Sequence, residues 1–62
     1  MERELQEAAL IMLRKNPGMS RYYIARCLAH ERNIAQFTVG EALEKPGFNE
    51  HVERQGQLLY PK

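Results

Sequence analysis

The chain has no aspartate, a single cysteine and no long apolar run. With only Cys27, an internal disulfide is impossible, which fits a reducing compartment. The longest apolar stretch, Ala8–Leu13, falls far short of the roughly 20 residues needed to cross a bilayer. The opening MERELQE is charged and acid-rich, unlike the basic-then-apolar start of a signal peptide. Together these absences predict a soluble, cytoplasmic protein with no membrane partner. Enzyme chemistry finds no foothold. There is no glycine-rich phosphate loop, no second cysteine, and no Ser–His–acid set with room for a pocket in so short a chain. Cys27 and His30 form a C-x-x-H pair and His51 is a third candidate ligand, but a structural zinc needs four. No metal and no cofactor are expected. Cys27 reads as a small core residue and His30 as a solvent-facing turn residue.

Neither sign of charge dominates: the formal net charge is +1. The distribution is more telling than the total. Glu2, Glu4 and Glu7 outweigh Arg3 at the start, whereas Arg14, Lys15, Arg21, Arg26 and Arg32 face one acid, Glu31, in the middle. The middle of the chain is therefore a basic block, although Arg14 and Lys15 also suit the negative end of a helix dipole. At 62 residues the chain is read as one domain, 1–62. A chain of this size buries only about 60% of its unfolded surface. Its 44% apolar content is enough for a small core and argues against disorder.

Helical periodicity carries the first half. Glu2–Lys15 has acids in its first turn, bases in its last, and an apolar stripe of Leu5, Ala8, Ala9 and Met12 widened by Leu10, Ile11 and Leu13. Asn16-Pro17-Gly18 ends it. Ser20 is an N-cap for a second helix reaching Ala29, with Ile24, Cys27 and Leu28 turned inward. A turn at Ala29–Arg32 follows. Asn33 and Gln36 resemble a capping box, so a third helix is predicted over Asn33–Lys45, with Ala35, Val39, Ala42 and Leu43 on its apolar face. Pro46-Gly47 stops it. Beyond, Phe48–Arg54 is predicted to pair antiparallel with Gln57–Tyr60 about a turn at Gln55-Gly56, with Phe48, Val52 and Leu59 facing the core. The predicted class is therefore α+β, three helices followed by a two-stranded wing.

Ile24-Ala25…Leu28, Thr38-Val39…Ala42-Leu43 and Phe48…Val52…Gln55-Gly56…Leu59-Tyr60 together resemble the winged helix-turn-helix superfamily over nearly the whole chain. The resemblance implies a double-stranded DNA-binding protein, a small transcriptional regulator, with the third helix in the major groove. By position it places Gln36, Phe37, Gly40 and Glu41 against base edges, where glutamine can pair with adenine and glutamate can accept from cytosine. Arg21, Arg26, Arg32 and Lys45 become phosphate contacts. Arg54 and Gln55 become the wing tip, on backbone or minor groove.

Three readings of function stay open at this level. Glu41 and Glu44 put negative charge on the face that would approach DNA, which suits a protein partner instead. An accessory domain of a larger nucleic-acid enzyme is the third. A regulator of this size is expected to act as a homodimer. Gly40, in mid-helix, costs about 1 kcal/mol relative to alanine. It implies either close approach of an outside backbone or tight internal packing of Tyr22 or Tyr23, two tyrosines that could also stack on bases.

Overall fold

Acidic residues at its start and basic ones at its end bound α1, which runs Glu2–Lys15 as its sequence predicts. Its buried seam is Leu5, Ala9 and Leu13, four residues apart, joined by Gln6 and Leu10. Ala8 and Met12 are only partly buried against this core, and Ile11 faces solvent. The computed structural model describes residues 2–56 and 59. In chain order α1 is followed by α2 (Arg21–Arg32), α3 (Gln36–Leu43) and α4 (Pro46–Arg54).

Ser20 caps α2 as expected: it is extended, and its hydroxyl accepts from the Tyr23 N–H at 3.1 Å. The far end differs from expectation. α2 continues three residues past Ala29, and Asn33 closes it instead of opening α3. Asn33 adopts the left-handed conformation, φ 56° and ψ 48°. Its N–H donates to the His30 carbonyl at 3.3 Å, and the Ile34 N–H donates to the Ala29 carbonyl at 3.0 Å. This paired closure is the Schellman arrangement, and asparagine tolerates its left-handed residue better than most side chains. α3 begins at Gln36, with Ala35 at its N-cap and no side-chain cap bond. Lys45 therefore belongs to the entry of α4, not to the end of α3.

The largest correction concerns the wing. No strand occurs among the described residues, and Pro46–Arg54 is a helix, so the class is all-α rather than α+β. Of the expected return strand, 57–60, only Leu59 lies within the described residues, and it packs against the core. The physical reason for α4 is legible in retrospect. Phe48 and Val52 are buried at a spacing of four, which suits both a strand and a helix. Residue 50 separates the two. A strand would turn Glu50 to the core with them, and a buried unpaired carboxylate is costly. The helix leaves Glu50 exposed, along with Asn49, His51 and Glu53. Proline at N1 is also favoured, since its missing N–H has no helical partner there in any case.

Phe48, Leu13, Ile24, Leu28, Leu43 and Val39 are the largest fully buried side chains, and they belong to one cluster drawn from all four helices. α2 packs chiefly on α3, and α1 lies against both. One polar group enters this core. The buried Gln6 side-chain amide donates to the Ala42 carbonyl at 2.9 Å. In a continued helix that carbonyl would accept from residue 46, but Pro46 has no N–H to give. Gln6 of α1 thus satisfies a carbonyl in the last turn of α3. Gln6→Leu keeps the bulk and strands the carbonyl. It should lower stability by about 1–3 kcal/mol, read as a shifted urea midpoint with an unchanged m-value.

Candidate nucleic-acid interface

The seam between α2 and α3 opens outward into a groove of about 460 Å³. Arg21, Tyr22 and Ala25 line it from α2; Gln36, Phe37, Gly40 and Glu41 line it from α3, with Glu44 just past the end of α3. The local reason is spacing. Phe37, Glu41 and Glu44 lie on the helical face opposite buried Val39, Ala42 and Leu43, and half-buried Gln36 and Gly40 lie on its border. The four base-edge candidates therefore share one surface, and Arg21 stands among them.

Exposure sharpens the picture. Phe37 is 75% exposed and Tyr22 53%, large values for aromatic side chains in so small a domain. Tyr23 is similarly exposed, on the next position of α2. A Cβ built at Gly40 would meet nothing within 4 Å, so Tyr22 and Tyr23 do not pack tightly on it. No internal packing requires this glycine. It costs about 1 kcal/mol in helix propensity relative to alanine.

The basic residues divide into two sets. Arg26 lies in a second cleft with Gln36, Tyr23, Cys27 and His30, so it borders one edge of the α3 surface. Lys45 lies with Thr38 and Glu41 and borders the other edge. Arg21 sits within the groove and is held by α4, its Nη2 donating to Asn49 Oδ1 at 3.0 Å. Its Nε is buried, with no hydrogen-bond partner among the described residues. Arg32 and Arg54 do not join them. Arg32 donates to the Glu4 carboxylate of α1, on the side of the molecule lined by Ala8, Ile11 and Met12. Arg54 and Gln55 end α4 and form no wing tip; Gln55 Oε1 accepts from Arg14 Nε at 2.8 Å. Asn49, Glu4 and Gln55 were not legible as partners of these arginines, because each pairing joins residues at least 28 positions apart.

Cys27 is half-buried, in the cleft with His30, and is not a core residue. His30 lies inside α2 and not in a turn. His51 lies on α4 beside α1, away from both. Among the described residues no group of three or more His, Cys, Asp or Glu side chains is placed to hold a metal ion. No described helix is long and apolar enough to cross a membrane. Comparison with known proteins finds no matching family model, no matching curated protein and no matching solved structure.

Proposed function

We propose that the chain is a double-stranded DNA-binding module, a small cytoplasmic regulator that lays α3 in the major groove with the start of α2 against the backbone. One observation carries this reading. A three-residue turn closed by left-handed Asn33 joins α2 to α3, and the surface they share holds Gln36, Phe37, Gly40 and Glu41 with Arg21 inside and Arg26 and Lys45 at its edges. Helix, short turn and packed helix is the arrangement that presents a recognition helix to DNA. Cations at the rim position the duplex, and groups on α3 read base edges.

Three cations support about three phosphate contacts, so affinity should fall with salt at a log–log slope of roughly −2 to −3. Anisotropy titrations of a random duplex pool at several salt concentrations measure this. Arg21→Ala should weaken all sequences alike and reduce the slope by about 1. Arg32→Ala and Arg54→Ala should leave it unchanged, since those side chains lie elsewhere. Gln36→Ala should erode discrimination between sequences with little change in slope. A folded protein that binds no duplex at low salt would end this reading.

One observation favours a protein partner on the same surface. Exposed Phe37 is accompanied by Glu41 and Glu44, and aromatic groups rimmed by charge are typical of protein contacts. Glu41→Gln separates the two. It should leave non-specific DNA binding unchanged or stronger by relieving repulsion, and it should weaken a partner that docks through basic side chains.

A further inference from the structure

The outer face of α1 takes no part in the α2–α3 surface, yet it carries an exposed isoleucine. Ile11 is 53% exposed in the second half of the 14-residue α1. It stands as a ridge between two clefts. One, of about 330 Å³, runs toward α4 past Leu10, Arg14 and His51. The other, of about 400 Å³, runs toward α2 past Ala8, Met12 and Leu28. Charge changes along the helix: Glu2, Glu4 and Glu7, with Arg3 among them, precede Ile11, and Arg14 and Lys15 follow it.

We propose that this face binds a second copy of the chain, antiparallel, about a two-fold axis through Ile11. An isologous contact needs a surface complementary to itself. A helix segment with Glu7 four residues before Ile11 and Lys15 four after it meets that condition when its copy runs the opposite way. About the axis, a residue a given number of positions after Ile11 faces the one the same number before it in the copy. Ile11 then meets Ile11, and Glu7 meets Lys15 twice. Glu7, Ile11 and Lys15 are four residues apart and lie on one ridge of α1, so the ridge faces its own copy along that length. Both charges are free to engage. Glu7 is two-thirds exposed, with only a loose 3.8 Å pair to Arg3, itself almost fully exposed. Lys15 is exposed and forms no ion pair among the described residues. The apolar contact is small, so the dimer is weak and dissociates below roughly 100 µM; the charges set its orientation more than its affinity. The inference stands whichever partner α3 meets.

Sedimentation equilibrium on the full chain, from about 10 µM to about 1 mM, tests it across the range where so weak a dimer forms. The mass should rise from monomer toward dimer. Ile11→Glu should stay monomeric throughout with an unchanged helical circular dichroism spectrum. Glu7→Lys and Lys15→Glu should each weaken self-association by about 10-fold, since each places like charges opposite one another. Mixed in equal amounts, those two variants should dimerise again, because both cross-pairings become complementary. If Lys15→Glu loses helix content, Lys15→Gln mixed with wild type takes its place, and the mixture should associate between the two parents. A wild type that stays monomeric at the highest concentration overturns the proposal. So does a dimer that survives Ile11→Glu, or a charge-swapped mixture no stronger than its components.

Discussion

Phe48→Ala should unfold a large part of the population. Phe48 is fully buried and is the largest side chain that α4 contributes to the core. Removing a buried phenylalanine costs about 3–5 kcal/mol, through lost transfer energy and the cavity left behind. A chain of 62 residues has a total stability of about 3–9 kcal/mol. The thermal midpoint should fall by at least about 12 °C, since each kcal/mol shifts a domain of this size by about 4–8 °C. Backbone carbon shifts over Pro46–Arg54 should be helical in the wild type, as α4 requires. A loss below about 1 kcal/mol would show that Phe48 is not enclosed, and strand-like shifts over those residues would contradict α4.

Leu28→Ala should cost about 2–5 kcal/mol. Leu28 is 1% exposed in the middle of α2 and belongs to the same core as Val39 and Leu43 of α3. Packing within that core holds α2 against α3 and so holds the groove in shape. Arg26→Ala, two residues away on the exposed side, is the control: its effect on stability should stay within about 0.5 kcal/mol. An unchanged midpoint for Leu28→Ala would remove Leu28 from the core. Any loss of DNA affinity in Leu28→Ala should track the unfolded fraction and vanish at temperatures where the variant is folded.

The parts of this fold that local chemistry decides were legible in the sequence. α1 announces both its ends, by charge and by Pro17-Gly18, and Ser20 announces the start of α2. Val39, Ala42 and Leu43 identify the buried face of α3 by spacing alone. Asn33 misled because asparagine serves equally as an N-cap and as a left-handed closing residue. Only the bonds from Asn33 and Ile34 back to His30 and Ala29 distinguish the roles. α4 misled because four is a multiple of two, and the decisive Glu50 lies between the apolar residues that drew attention. Of the candidate interface, the face of α3 follows from period. The division of arginines does not, because Asn49, Glu4 and Gln55 reach them only through the tertiary fold.

Asn33 lies at the surface, where substitutions are ordinarily tolerated, and yet its backbone admits few residue types. A bulkier or branched side chain would press on its own carbonyl, and the chain would relieve that pressure by rotating the turn. The turn sets the angle between the two helices that form the groove, so strain at one solvent-exposed position becomes a change in groove width. Exposure and freedom to vary are thus separate properties here. A residue outside the buried core thus constrains the shape of the groove.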